Sequence, residues 1–299
     1  MAISHSHNLT CADPMELGSR HRRHIEEFLG EDLEANLFVL SWLEHHGVKP
    51  KRAGHFSFWG WFDDRNRLGG VALDISGRLL MLDTRSPEFA HGFGDFFRRR
   101  KTRFLHVVSR RRSVVPFWKV YARPEPDFRV TSRLIQNQKL YRLLPDRFSP
   151  PPKRQSRVRR TRSNEIDAVF LASVKMHREE TFEDPLERNS SSFRRQVRHR
   201  IDKGRSFVWF DDHNQLLFKA DISTRCSRGA QISGVYTEPK YRNRGIATRA
   251  LTDIAHILFD EGVPRLTLYV NRSNDAAQHV YERLGFDYLH PYQTIFIAE

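Results

Sequence analysis

Apolar positions along this chain follow two rhythms, helical and alternating, and the order of those rhythms is similar in its two halves. In the second half "EIDAVFLASVKMHREE", within residues 164–180, carries apolar residues at helical spacing. A second helix is expected around 190–203, closed by Gly204 as a C-terminal cap. The runs "SFVWFD" and "LLFKADI" are rich in strand formers and are joined by "DHNQ", which reads as a hairpin; "AQISGVYT" follows as a third strand. A helix from about 244 to 260 places Ile246, Ala250, Ile254, Ile257 and Leu258 on one face, and Gly262 ends it. "RLTLYV" reads as a buried strand and "NDAAQHVYERLG" as a short helix closed by Gly285. "FDYL" and "YQTIFIA" read as two strands split by His290 and Pro291.

The first half repeats the order more weakly. "HFSFWGWFDD" and "LGGVALDIS" form a strand pair, "RLLMLDT" a strand, "PEFAHGFGDFFRRR" a helix, and "RFLHVVS" a strand. "SVVPFWKVYA" reads as helix and "TSRLIQNQKLYRLL" as one or two strands. This is an internal structural duplication without residue-level repetition. Between the halves lies "PDRFSPPPKRQSRVRRTRSN", residues 145–164, Pro-rich and basic with little apolar content. Such segments act as stiff spacers. The expected domains are 1–148 and 157–299, joined by a linker at 149–156, with part of "SRVRRT" serving as an exposed first strand.

Composition narrows the class of protein. At 299 residues, 39% hydrophobic and 29% charged, the chain can bury two cores. No apolar run approaches the roughly 20 residues of a membrane-spanning helix. The start, "MAISHSHNLTCADP", has no basic segment followed by an apolar one, so no signal peptide is expected. Two cysteines, Cys11 and Cys226, make neither a disulfide framework nor a metal-ligand spacing, and a reducing, cytoplasmic setting is the simplest reading. The net charge of +14 favours polyanionic partners, whether nucleic acid, the ribosome or a phosphate-rich cofactor, although arginines that serve only solubility would give the same total.

Chemistry concentrates in "EPKYRNRGIATRAL", residues 238–251. A strand that ends in a glycine-bearing turn and feeds a helix leaves backbone N–H groups unpaired at the helix start. Those donors and the helix dipole make an anion site. Gly245 allows close approach of a phosphate, Ala247 keeps the next turn slim, and Arg242 and Arg244 add charge in a planar fork suited to phosphate. Pro239, with no N–H to offer a sheet, marks where the strand stops. Downstream, in "LYVNRSNDAAQHVYERLGF", Asn274, Ala277 and Tyr281 share one helix face. Acyl transfer expels a thiolate, and a phenol such as Tyr281 can donate a proton to it; a packed tyrosine bonded to backbone is the plainer alternative.

Together "YRNRGIA" and "VNRSNDAAQHVYERLGF" resemble two motifs of the GNAT superfamily of acyl-CoA-dependent N-acyltransferases, over about residues 229–298. The first resembles its Arg/Gln-x-x-Gly-x-Gly/Ala turn, with Ala247 in the last place, and the second its Asn-x-x-Ala-x-x-x-Tyr-x-x-x-Gly-Phe helix. The resemblance implies an α+β fold: tandem GNAT-like domains, each a mixed, mostly antiparallel sheet flanked by helices. It implies transfer of an acyl group, in the first instance acetyl from acetyl-CoA, to an amine of unidentified structure, by direct attack and without a metal.

Residue by residue, it implies that Arg242, Asn243, Arg244, Gly245, Ile246, Ala247 and Thr248 hold the coenzyme A pyrophosphate. Val235 and Tyr236 pair with the pantetheine arm, a backbone N–H near Val235 meets the oxyanion, Asn274 and Ala277 line the cofactor, and Tyr281 stands near the thioester sulfur. The base is open among Glu179 and Glu180 at a helix end, and Gln231 and Ser233, which could place a water; Glu238 reads as surface.

More broadly, "EDLEANLFVLSWLEHHG", "RLIQNQKLYRL", "MHREETFEDP", "GRSFVWFDDHNQLLFKADI" and "GVYTEPKYRNRGIATRAL" resemble a bacterial GNAT group with an uncharacterised N-terminal domain. In the first half Pro87 and Glu88, in "DTRSPEFAHGFGDFF", replace the phosphate turn. That half is expected to be a degenerate GNAT-like domain that binds no coenzyme A and packs on the active half or shapes its cleft. The contrasting expectations are a non-catalytic module that uses its basic surface on RNA or ribosomes, and a coenzyme A sensor without turnover.

Overall fold

The computed structural model describes residues 13–50, 55–149 and 153–298. Cys11 and Pro150–Pro152 therefore lie outside the described residues; Cys226 is half-buried and forms no disulfide among the described residues. The chain forms two compact units, one of residues 1–136 and 292–299 and the other of residues 137–291.

The first unit contains strand β1 (Met15–Glu16), helices α1 (Arg22–Gly30) and α2 (Leu37–His46), and strands β2 (Ser57–Phe62), β3 (Leu68–Ile75) and β4 (Leu79–Thr84). Helix α3 (Pro87–Arg99), strand β5 (His106–Arg110), helix α4 (Arg111–Tyr121) and the start of strand β6 (Ser132–Leu143) follow. Strands β1 to β4 pair antiparallel in order, and β5 joins β4 in parallel through Leu79–Met81 and His106–Val108. Alternation along β3 and β4 divides the apolar residues between two faces. Ala72, Leu80 and Leu82 join Phe93, Phe97 and Phe117 of α3 and α4, while Val71, Leu73 and Met81 join Ile25, Phe28 and Leu40 of α1 and α2. The sequence pattern gave no element over α1 and α2.

The second unit contains residues 137–143 of β6, strand β7 (Arg159–Arg160), helices α5 (Ile166–Thr181) and α6 (Pro185–Asp202), and strands β8 (Ser206–Phe210), β9 (Leu216–Cys226) and β10 (Gly229–Thr237). Helix α7 (Ile246–Asp260), strand β11 (Leu266–Asn271), helix α8 (Asp275–Arg283) and the start of strand β12 (Asp287–Ile297) complete it. The strand order is β6, β11, β10, β9, β8, β7, antiparallel except for β10 beside β11. Ile246, Ala250, Ile254 and Leu258 of α7 pack on Phe218, Ala220, Ile232 and Leu268. A smaller core of Ile166, Val169, Val197, Ile201 and Val208 lies beneath α5 and α6.

Several expectations change. "FDYL" and "YQTIFIA" are one strand, β12, which runs through the exposed Pro291; a proline is tolerated where the ladder needs no donor. Residues 292–296 of β12 pair antiparallel with β5 and so belong to the first unit, while residues 138–143 of β6 pair with β11 in the second. The two compact units thus exchange one strand each in sequence terms, a long-range pairing without a local signature. Helix α6 starts at Pro185, capped by the Asp184 side chain on the Leu186 N–H, and is broken at Asn189 (φ −163°, ψ 77°). The end of the expected linker is docked: Asp253 on α7, 1% exposed, accepts from the Gln155 N–H at 3.1 Å and from the Ser156 N–H at 2.7 Å. No helix among the described residues is long and apolar enough to cross a membrane.

Candidate active site

The site grows from the place where β10 and β11 part. They pair in parallel only through Ala230–Ile232 and Leu266–Leu268. On its other edge β10 pairs with β9, but the register shifts between Ser233 and Tyr236, so Gly234 and Val235 have no register partner on either neighbour. Gly234 takes φ +55°, which accommodates the bulge. Four residues of β10, from Ser233 to Tyr236, thus face three of β9, from Asp221 back to Lys219.

Beyond β10 the chain turns through Asn243 (φ +62°) and Gly245 (φ +69°), and Gly245 is the N-cap of α7. The helix ladder begins with the Arg249 N–H donating to the Gly245 carbonyl at 3.1 Å, so the N–H groups of Ile246, Ala247 and Thr248 precede any intrahelical acceptor. A Cβ on Gly245 would come within 3.0 Å of the Arg249 guanidinium. Arg244 and Arg249 make no ion pair among the described residues; they lie over the Tyr241 and Trp209 rings at 5.8 and 5.6 Å. A turn with two positive φ values, free helix-start donors and unpaired arginines fits a pyrophosphate.

The remaining candidates divide by what holds them. Arg242 is committed to protein: its Nη2 donates to both Glu179 oxygens at 3.0 and 2.8 Å and its Nε to the Thr237 carbonyl at 3.0 Å. It also lies over the Tyr236 ring, whose buried phenol, near Glu238 and Glu179, is pushed up to about 12. Asn274 caps α8, accepting from the Ala277 N–H at 3.0 Å. Gln231 is buried, and its Oε1 has no hydrogen-bond partner among the described residues.

Tyr281 is 5% exposed and packs against Tyr141 and Phe286, and no described protein group hydrogen-bonds its hydroxyl. The expected alternative, a tyrosine tied to backbone, is therefore absent. Burial, and after it the nearby Glu180 carboxylate, pushes the phenol well above its ordinary range. Glu180 is exposed as a residue. Desolvation raises it above the usual carboxylate range, with Lys219 opposing that shift and Glu179 adding to it. The structure thus brings Glu180 near Tyr281 and turns Glu179 onto Arg242.

Sequence reasoning missed Arg249, Ser173, Lys219 and Asp221. Arg249 had a signal, since it stands four residues after Gly245 on the first helical turn. Lys219 and Asp221 had none: in "LLFKADI" they read as the polar face of a strand, yet both are buried.

Residues 173–286 match the model of the acetyltransferase (GNAT) family. The mycothiol acetyltransferase of Rhodococcus erythropolis (strain PR4 / NBRC 100887) is 30% identical over 106 residues, 30% of this chain and 36% of that protein, so the match spans about a third of the relative's length. Among solved structures, a GCN5-related N-acetyltransferase from Sphaerobacter thermophilus superposes with a TM-score of 0.59 at 15% identity, covering 94% of each chain. A tandem GNAT protein from the clavulanic acid biosynthesis pathway gives 0.54 at 14% identity, covering 96% of this chain and 98% of its own. The solved structures thus show an α+β fold shared with GNAT proteins, a tandem GNAT protein among them.

Proposed function

We propose that the second unit is an acetyl-CoA-dependent N-acetyltransferase that acts on an amine. The observation that carries the reading is the left-handed Gly245 opening α7 beside the split between β10 and β11. The N–H groups of residues 245–248 take the pyrophosphate, with Arg244 and Arg249 as its counter-charges. The β10 edge at Val235 and Tyr236 takes the pantetheine arm, and Asn274 and Ala277 line it. Acetyl-CoA supplies the thioester, whose C–S bond is exchanged for a C–N bond.

Glu180 accepts the proton that the amine ammonium loses, and desolvation, which raises its affinity for protons, makes it a stronger base than an ordinary glutamate. Tyr281 gives its proton to the departing sulfur, and an N–H at the bulge, near Val235, meets the carbonyl oxygen as it gains charge. Glu179 holds Arg242 rather than the acceptor. The first unit takes no coenzyme A, and the protein works in the cytoplasm.

Calorimetry with acetyl-CoA at fixed salt tests the reading. The native chain is expected to bind one equivalent, and Gly245→Glu, which sets a carboxylate into the turn, none. No binding by the native chain rejects the enzyme; two equivalents reject the assignment of the first unit.

A further inference from the structure

Four cations line one cavity of the second unit, at the end of α7 away from Gly245. The cavity has a volume of about 390 Å³, within the range of small-molecule sites, and Arg160, Lys203, Arg205 and Arg225 stand on its wall, with no carboxylate beside them there. They come from three places in the chain: Arg160 from β7, Lys203 and Arg205 from the connection between α6 and β8, and Arg225 from β9. Ile222 and Leu258, both buried, give the cavity an apolar floor. The backbone fixes this convergence. Gly204 takes φ +61° and turns the chain at the end of α6, where the Arg205 N–H donates to the Arg200 carbonyl at 2.8 Å. The Arg205 carbonyl in turn accepts from the Ile222 N–H at 2.7 Å, which ties the turn to β9.

Two of the cations are held before any ligand arrives. Arg160 donates to the Gly204 carbonyl and, through Nη2, to both Glu261 oxygens at 2.6 and 2.8 Å, and its guanidinium lies 4.9 Å from the Phe207 ring centre. Arg225 Nη1 donates to Glu261 Oε2 at 2.5 Å. Lys203 and Arg205 make no ion pair among the described residues. The plainer account is that these cations offset the C-terminal ends of α6 and α7, which close here. The magnitudes do not balance: the two helix ends carry about one negative charge between them and Glu261 one more, which leaves an excess of about two positive charges.

We propose that this cavity is a second anion site that takes the phosphate dianion of a small organic monoester. Such a phosphate matches the excess charge, the planar guanidinium forks match its oxygens, and the apolar floor takes the organic part. The site is separate from the turn at Gly245, since Leu258 stands about 18 Å along α7 from Ile246. No residue of that turn enters the proposal, which therefore stands apart from the acetyltransferase reading.

A titration of the ¹⁵N-labelled full chain with phenyl phosphate, at fixed salt in phosphate-free buffer, gives the test. The Gly204 and Arg225 amide signals should move together and saturate. Lys203→Ser with Arg205→Ser should weaken the binding read at those amides about tenfold or more, as loss of charge-assisted contacts does. Arg195→Ser with Arg198→Ser, which removes two exposed cations of α6 outside the cavity, should leave it unchanged. Inorganic phosphate should bind roughly fivefold more weakly, as it forgoes burial of about 40 Å² of ring. Shifts confined to residues 245–248, or none at Gly204 and Arg225, overturn the proposal. An equal loss in the Arg195, Arg198 pair reduces the effect to general charge and overturns it too. Equal affinity for inorganic phosphate overturns the assignment to an organic monoester. If the Lys203, Arg205 variant fails to fold, the native titration with both probes decides alone.

Discussion

In both units a strand runs parallel to its neighbour for three residue pairs and then the pairing stops: at Met81 and Val108 in the first, at Ile232 and Leu268 in the second. What comes next differs. Carrying the register two residues on sets Asp83 opposite Arg110 in the first unit and Gly234 opposite Val270 in the second. Asp83 and Arg110 form a buried ion pair that also engages Asp32 and Asn36, and the Ser109 hydroxyl donates to the Leu82 carbonyl. Side chains have bridged the split. In the second unit neither glycine nor valine can do so.

The connection that follows differs too: residues 85–86 in the first unit against 238–245 in the second. The first has no room for a turn of backbone donors. Its helix start is occupied by Glu88, whose carboxylate is held low by the Ser86 hydroxyl and its own N–H. One frame is open to an anion and the other has filled itself with its own charges.

That contrast can be broken at either end. Gly245→Glu should weaken acetyl-CoA binding more than 100-fold, whereas Glu88→Gly should leave the stoichiometry at one, because two connecting residues cannot form the turn. Calorimetry reads both. Asp83→Ala leaves buried Arg110 with only Asp32 of its two carboxylate partners and should cost up to about 3–5 kcal/mol, while Asp83→Leu with Arg110→Met should cost much less, as followed by urea unfolding. Tyr281→Phe should lower turnover about 10²-fold or more with little change in acetyl-CoA affinity, once an acceptor is in hand.

Glu180→Gln tests the base. The native rate should rise with pH through the raised Glu180 midpoint, and the variant should lose that limb. The group is raised in the folded state, so its favourable contribution is present below the unfolded value near 4.3 and is lost as pH rises through the folded one. Glu180→Gln should therefore melt slightly higher than the native chain at pH 7 and no higher at pH 4. Smallest is Glu88→Gln: its carboxylate is lowered, so its contribution is present above the unfolded value and lost on acidification. Removing it should cost about 0.3–1 kcal/mol at neutral pH, within the range of a charge at a helix start.

The legible parts of this site are those with a backbone reason. Gly245 is visible because a left-handed helix start needs a glycine, and Asn274 because a helix needs a cap. Much of the strand and helix order was readable from periodicity, apart from α1, α2 and the continuity of β12. Lys219 and Asp221 were invisible because alternation along β9 predicts one polar face, whereas both of its faces are covered. The exchange of strands was invisible because Pro291 reads as a stop, and because nothing near Tyr292 names β5 as its partner. The choice between Glu179 and Glu180 turned on Arg242, 63 residues away in the chain.

The pairing of β12 with β5 has a consequence for how the chain is made. Translation delivers residues 13–136 before the second unit, yet the strand that completes their sheet, residues 292–297, emerges only after the whole of that unit. The second unit, residues 137–291, has all its strands in hand earlier. The earlier unit is thus the later to finish, and β5 waits with an unpaired edge in the meantime, the kind of exposure that invites wrong partners. A truncation or bulky fusion at the extreme C-terminus would be felt in the N-terminal unit before it disturbed Tyr281.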